Sequence, residues 1–335
     1  MDNLLPYLTM LFLGTATWIW LFFAGIVVTL LALDLGVLHK ADSEIGVKES
    51  LFLSAGYISI ALLFGGWVWW YLGPQSGMAY YTGFLIEKSL SMDNVFVIAL
   101  IFSYFAIPRQ YQHRVLFWGI IGVIVLRAIM IGLGATLVSQ FSWMLYIFGA
   151  FLILTGIKMW VIADHMPDIG NNPLLKFIRK HMRVTDKVHG SAFFVQQADP
   201  KTGKLVRFGT PLFMALVMVE FVDLVFAVDS VPAIFAITTD PFLVYNSNIF
   251  AILGLRALYF ALAAMIHRFT YLKYALALVL VFIGSKIFLV GIIGKIPPVF
   301  SLSVTFGLIA GGVVYSMWKT RDSAMTPLFG TDVAK

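Results

Sequence analysis

Five carboxylates lie within stretches of sequence that are apolar enough to cross a bilayer. They are Glu87 and Asp93 in one stretch, and Glu220, Asp223 and Asp229 in another. Insertion scales assign roughly +2.5 to +3.5 kcal/mol to each acid at a helix centre, so all five would oppose insertion by about 12 to 18 kcal/mol unless they were protonated or partnered. Acids retained against such a cost indicate an ion or proton pathway.

Helix geometry limits how these acids can meet. Glu220 and Asp223 are three residues apart and therefore share one helix face. Glu87 and Asp93 are six apart, which separates them by about 120° in direction and about 9 Å in height on an ideal helix. The two stretches must therefore approach each other if the acids are to share one site.

Pro232 follows the second group of acids and removes one backbone hydrogen bond from its helix. We predict that the chain is kinked or unwound over residues 227–232, which would turn Asp229 inward and expose backbone carbonyls as ligands. Asn94 and Ser230 would add amide and hydroxyl oxygens to the same site.

Charge pairing is the structural alternative to a cation site. The bases within or near the spans are Lys88, Arg127, Lys158, Arg256 and Lys286. The two arginines are the predicted partners, because a lysine near a span end can extend its ammonium group to the membrane surface. Three acids in the second stretch exceed what two arginines need, so an additional positive ligand is predicted.

The available donor atoms narrow the identity of that ligand. The chain has no cysteine, and its six histidines fall in joints or at span ends. Carboxylate, amide, hydroxyl and carbonyl oxygens suit magnesium, calcium or manganese. Met92, Met214 and Met218 lie near the acids. A thioether ligand would favour Mn²⁺ over Ca²⁺ because Mn²⁺ is softer, whereas the alternative is that these methionines only pack.

Composition places the chain among polytopic all-α membrane proteins. Of its 335 residues, 60% are hydrophobic and only 12% are charged, against about 25% charged in soluble domains. Runs of about 20 apolar residues span a bilayer as helices. Nine spans are predicted, at about 16–38, 50–72, 79–105, 115–138, 141–162, 210–238, 246–266, 272–293 and 298–318.

The distribution of lysine and arginine predicts the orientation. With the amino terminus outside and the carboxyl terminus in the cytoplasm, the outer joints hold only Lys295, as the positive-inside rule requires. The net charge of +6 follows from this bias, so the bilayer is the expected partner and nucleic acid is not. Residues 1–15 lack the features of a removable signal peptide.

Intramembrane charges recur in the same order in two units, 79–162 and 210–293. The matched pairs are Glu87 with Asp223, Asp93 with Asp229, Arg127 with Arg256 and Lys158 with Lys286. Each unit has three predicted spans, so the two copies would face opposite ways. Such inverted repeats build many secondary transporters, with the site near the midplane. The spans at 16–38, 50–72 and 298–318 would be peripheral.

The loop 163–209 between the units is the longest polar segment. Residues 173–184 predict a helix with an apolar side and a basic side, which could lie on an anionic membrane surface or belong to a solvated loop. A small β-hairpin is predicted around residues 191–208, with its turn at 199–203.

The two acidic segments also resemble the signature segments of a known family. Glu87-Lys88-Ser89-Leu90-Ser91-Met92-Asp93-Asn94 and the segment from Glu220 through Asp229-Ser230-Val231-Pro232-Ala233 are similar to those of the TerC family, Alx-like members included. The resemblance extends from roughly Thr82 to Leu289, with no departure in either motif.

This resemblance implies a multi-pass protein of the bacterial inner membrane that exports manganese. Its implied metal residues are Glu87, Asp93, Asn94, Glu220, Asp223, Asp229 and Ser230. Mn²⁺ would be the transported substrate, exchanged for protons as a further hypothesis, and neither a resident cofactor nor an enzymatic activity is expected.

Three alternatives stay open at this point. The chain could transport another divalent cation such as Ca²⁺, it could be a membrane metalloenzyme, or it could be a non-transporting sensor or assembly subunit that uses the basic loop. An enzyme would need an open metal position and a general acid or base, for which the residues offer few candidates.

Overall fold

The structure is a computed structural model that describes residues 9–36, 46–141, 143–161, 172–198, 205–263, 271–294 and 296–320. Within these ranges, the side chains of residues 34–36, 47, 92, 93, 96, 256, 262, 263 and 291–293 lie outside the description. The predicted ligands Asp93 and Met92 and the predicted partner Arg256 are therefore described by their backbone alone.

The described chain is mostly helical, with two short hairpins. The helices are α1 (Thr17–Gly36), α2 (Val47–Leu72), α3 (Pro74–Tyr104), α4 (Arg109–Gln140), α5 (Met144–Val161), α6 (Pro173–His181), α7 (Pro211–Phe235), α8 (Pro241–Leu253), α9 (Leu255–Ala263), α10 (Leu272–Ile293) and α11 (Pro298–Lys319). The strands are β1 (Leu11–Phe12), β2 (Thr15–Ala16), β3 (Phe194–Ala198) and β4 (Leu205–Gly209), paired antiparallel as β1–β2 and β3–β4.

Six helices among the described residues are long and apolar enough to cross a membrane: α2, α4, α5, α7, α10 and α11. Helix α3 has 31 residues but carries Glu87, Lys88 and Asp93 along its middle. The apolar part of α1 and helix α8 are shorter than a full span. The other three of the nine predicted spans therefore stay predictions.

The predicted span 246–266 is divided into two helices at Gly254. The chain is helical to Leu253 and resumes at Leu255. The Lys88 ammonium donates to the Ala251 carbonyl (3.2 Å), one of the carbonyls that the end of α8 leaves without an intrahelical partner. A Cβ at Gly254 would lie 2.9 Å from the Lys88 Nζ, so a side chain at this position would push the ammonium group away from the break.

Helix α7 continues without unwinding through residues 227–232, so that part of the prediction is wrong. Pro232 lies inside the helix, which ends at Phe235. Only one intrahelical bond is lost to proline, and the buried residues Val231, Ala233 and Ile234 hold the helical path. Asp229 nevertheless reaches the interior without an unwound segment, as described below.

Helices α3 and α7 lie at the centre of the bundle. Helix α3 contacts α2, α7, α8 and α11, and α7 contacts α3, α4, α5 and α8. Apolar clusters surround this pair: one joins α1, α2, α3 and α8, and another joins α3, α4, α7 and α9. The acids of the two signature segments are therefore carried by two helices in the interior of the bundle.

Glycines let α5 and α10 pack backbone against backbone. A Cβ at Gly284 would lie 2.6 Å from the Gly149 carbonyl oxygen, and a Cβ at Gly156 would lie 2.7 Å from that of Ala277. Residue numbers of successive contacts increase along α5, from Gly149 to Gly156, and decrease along α10, from Gly284 to Ala277. The two helices therefore run antiparallel.

Alanine at Gly284 should destabilise this contact. Its Cβ would meet backbone atoms that cannot move aside, and overpacking of this kind costs about 1–3 kcal/mol. Thermal unfolding in detergent should show a lower Tm for Gly284→Ala. Gly132→Ala is the matched control, because a Cβ there meets nothing within 4 Å. Equal loss of Tm in both variants would contradict the packing described here.

The segment 172–198 and 205–210 docks against one end of α4 and α7. The pairing of β3 with β4 confirms the strands of the predicted hairpin, whose predicted turn at 199–203 lies outside the described residues. Arg114 of α4 donates to the Ser191 hydroxyl (3.0 Å). In α6 the apolar side packs on protein, with Leu175 fully buried in the cluster that includes Leu116 and Leu212. The apolar side of this helix therefore packs on protein, and its basic side is exposed.

Candidate cation site

Arg127 of α4 lies at the centre of the acidic residues and is fully buried. Its Nη1 donates to Glu87 Oε1 (2.7 Å). Its Nε and Nη2 donate to the two carboxylate oxygens of Asp223, at 3.3 and 3.1 Å. The guanidinium group therefore bridges an acid of α3 and an acid of α7, which confirms Arg127 as a charge partner.

Two neutral side chains complete the surroundings of this guanidinium group. Nη1 also donates to the Ser230 hydroxyl (3.0 Å) and to the Asn248 amide oxygen (2.8 Å). The Asn248 amide in turn donates to Glu87 Oε2 (3.1 Å). Four helices, α3, α4, α7 and α8, thus meet through one connected set of polar groups, as buried charges require.

A cavity of about 60 Å³ adjoins this network, which exceeds the space that one water molecule needs. Its polar lining consists of Glu87, Asn94, Arg127, Asp229 and Ser230. Its apolar lining consists of Leu90, Met159, Phe226 and Leu280. The cavity therefore brings together oxygen donors from both signature segments.

Asp229 enters the cavity from α7 and is partly buried. Thr155 of α5 donates to its Oδ1 (3.2 Å). On the α3 side, the amide oxygen of Asn94 is buried and has no hydrogen-bond partner among the described residues. A carboxylate and an unpartnered amide oxygen are ligands that a hard cation prefers.

Glu220 lies away from the cavity, against α4. A Cβ at Gly122 would overlap its carboxylate group, so the glycine provides the space that the acid occupies. Its Oε2 is buried and has no partner among the residues that the structure describes. Glu220 is the one predicted site residue with a described side chain that belongs neither to the Arg127 network nor to the cavity lining.

The electrostatics of the site favour a cation. Glu87 and Asp223 share one buried guanidinium group, and Lys158 interacts electrostatically with Asp229. One formal negative charge therefore remains when all three acids are ionised. Among the described residues, however, no three acidic or histidine side chains are close enough to hold a metal ion by themselves. Arg127 stands between two of the acids, Glu87 and Asp223.

Asn248, Thr155 and Met159 were not among the site residues predicted from the sequence. The consecutive polar residues Asn246, Ser247 and Asn248, all completely buried, are a signal that could have been noticed in an apolar stretch. The predicted Met214 and Met218 are packed in an apolar cluster, so their role in this structure is packing. Met159 is the methionine in the cavity lining.

Comparison with known proteins settles the family. The profile of the integral membrane protein TerC family matches residues 72–324. The chain belongs to the TerC family. It is therefore an integral, multi-pass membrane protein, and the resemblance of its two acidic segments is confirmed.

Curated relatives cover nearly the whole chain. An "Uncharacterized membrane protein" of Rickettsia bellii is 50% identical over 298 residues, covering 89% of this chain and 96% of the relative. The "Putative membrane-bound redox modulator Alx" of Escherichia coli (strain K12) is 46% identical over 309 residues, covering 90% and 94%. None of these names makes a catalytic claim. No solved structure matches the chain.

Proposed function

We propose that this TerC protein exports Mn²⁺ from the cytoplasm through the cavity between α3 and α7. The observation that carries the proposal is the convergence of Glu87, Asn94, Asp229 and Ser230 on one buried cavity beside Asp223. Intramembrane acids that face a cavity mark ion pathways. Asp93, whose side chain lies outside the description, belongs to the proposed ligand set by the resemblance of its motif, whereas Glu220 is left out because it faces α4.

The donor atoms support a manganese ion within the class of hard divalent cations. Carboxylate, amide and hydroxyl oxygens suit Mg²⁺, Ca²⁺ and Mn²⁺. Met159 adds a thioether to the cavity lining, and a sulfur ligand favours Mn²⁺ over Ca²⁺. The chain has no cysteine and no histidine in this lining, which weakens the case for zinc, copper or nickel.

Helix packing supports two oppositely oriented repeats. Helices α3 and α8 run parallel. Gly83 lies against Ser247, and the next contact, from Lys88 to Ala251, lies farther toward the C-terminus of both helices. Helices α4 and α7 also run parallel, because the Gly122–Glu220 contact is followed by one between Gly134 and Phe235.

In each case the first helix of one repeat packs against the second helix of the other. The third helices, α5 and α10, pack against each other and run antiparallel. An inverted repeat predicts this exchange of partners, and it supports alternating access around a site that stays between α3 and α7.

The direction of transport and the membrane rest on the bias of basic residues and on the family resemblance. We propose the bacterial inner membrane, with the amino terminus outside and the carboxyl terminus in the cytoplasm. Thiol–disulfide chemistry by this chain's own residues is excluded, because it contains no cysteine. A redox effect like the one in the Alx name would therefore arise indirectly, for example through the concentration of a redox-active metal.

Purified protein in sealed liposomes provides the test. Liposomes that contain the protein and a manganese-sensitive dye should take up Mn²⁺ faster than protein-free liposomes, and an excess of Ca²⁺ should not block uptake. A pH gradient imposed across the same liposomes decides whether protons are exchanged. Uptake no faster than in protein-free liposomes would reject the proposal, and equal competition by Ca²⁺ would favour the alternative of a less selective transporter.

A further inference from the structure

Arg127 bridges the two carboxylates beside the cavity. We infer that this guanidinium group is an internal substitute for the transported cation: it bridges Glu87 and Asp223 when the site is empty, and it moves to Glu220 when Mn²⁺ binds. The inference rests on the proposed function and adds the step by which cation binding becomes coupled to a change between the two repeats.

The geometry makes simultaneous occupation unfavourable. Arg127 donates to both oxygens of Asp223 and, through Nη1, to Glu87. A divalent cation that reached the same oxygens would lie within a few ångströms of a positive group in a buried, weakly screened environment. The cation arrives from solution, so the guanidinium group must move away from these oxygens when the cation binds.

The arginine bridge also joins the two repeats. Glu87 belongs to α3 of the first repeat, and Asp223 belongs to α7 of the second. While Arg127 holds both acids, its guanidinium group links α3 to α7. Release of Arg127 would remove this link between the helices when the cation binds the two carboxylates in its place.

A displaced guanidinium group needs a new acceptor, because an unpartnered buried charge is costly. Glu220 supplies one: it lies one turn before Asp223 on α7, and its buried Oε2 has no partner among the described residues. Glu220 lies against Gly122, which precedes Arg127 on α4. Long side chains on a helix point toward its N-terminus, so Glu220 lies in the direction that the arginine side chain already takes.

The test measures Mn²⁺ affinity of the purified protein in detergent by its concentration-dependent rise in Tm. Arg127→Gln removes the internal competitor. If the bridged state makes up about 90% of the empty protein, its removal tightens apparent binding by about tenfold. Arg114→Gln is the matched control on the same helix, because Arg114 pairs with Ser191 and Phe193 away from the acids, and it should bind Mn²⁺ like the wild type.

Arg127→Gln also leaves two buried acids without their partner, so the Mn²⁺-free variant should unfold at a lower temperature than the wild type. Saturating Mn²⁺ should restore it to a monodisperse, folded state. A variant that stays aggregated with Mn²⁺, or that binds Mn²⁺ no more tightly than the wild type, would overturn the inference and assign Arg127 a purely structural role.

Glu220→Gln tests the acceptor through a double-mutant cycle. This substitution should weaken Mn²⁺ binding in the wild-type background and have no effect in the Arg127→Gln background, where no displaced guanidinium group needs a partner. Equal weakening in both backgrounds would overturn the assigned role of Glu220 and indicate that it binds the metal directly. A wild-type protein that does not bind Mn²⁺ would instead reject the proposed function itself.

Discussion

Cells that make the Asp223→Asn variant should accumulate manganese as cells that lack this TerC protein do, although the variant reaches the membrane. Asparagine keeps the size of the side chain but removes one of the negative charges beside the cavity. At an effective dielectric constant of about 20, unit charges 4 Å apart interact by about 4 kcal/mol, and each 1.4 kcal/mol changes Kd tenfold. We therefore expect Mn²⁺ affinity to fall by at least about a hundredfold.

The measurement is the manganese content of cells after loading with manganese, alongside the amount of variant in the membrane fraction. Asp240→Asn is the matched control. Asp240 caps α8 by accepting the Phe242 N–H (2.9 Å), and asparagine caps helices as well as aspartate does. This control should lower cellular manganese as the wild type does. If Asp223→Asn lowered it equally, Asp223 would not belong to the site.

Gly122→Ala should abolish transport through a single added methyl group. The Cβ would occupy the position of the Glu220 carboxylate, so the acid would have to leave its place between α4 and α7. Because that carboxylate is the far end of a flexible side chain, it can move aside, so we expect manganese export to be lost with little loss of stability.

Gly119→Ala separates this effect from a general intolerance of α4 to alanine. Gly119 lies one turn earlier, and its Cβ would make only ordinary contacts, at 3.6 Å with Val219 and 4.0 Å with Glu220. Its manganese export and Tm should equal those of the wild type. Normal export by Gly122→Ala would show that the position of Glu220 is irrelevant to transport.

Much of the site could be predicted from residue types alone. Acids and arginines are rare in apolar stretches, so the five acids and the two arginines could be recognised as candidate partners by their chemistry, without knowledge of packing. The hairpin around residues 194–209 was also predictable, because alternating strands and a polar turn are local signals.

Features that depend on which helix faces meet could not be predicted. Asn248 reaches the Arg127 network only because α8 packs beside α3, and no local pattern indicates that packing. At the break between α8 and α9 at Gly254, Lys88 of another helix donates to the Ala251 carbonyl, a contact that no local pattern indicates. Glu220 and Asp223 share a helix face, yet a glycine of α4 accommodates one acid while the arginine of α4 holds the other.

Stoichiometric binding of Mn²⁺ to the purified protein tests the central claim most directly. Equilibrium dialysis, with bound Mn²⁺ counted by electron paramagnetic resonance, should find a single tightly bound ion per wild-type chain and none in Asp223→Asn. The same count for both proteins, or no tight binding by the wild type, would contradict a cation site between α3 and α7.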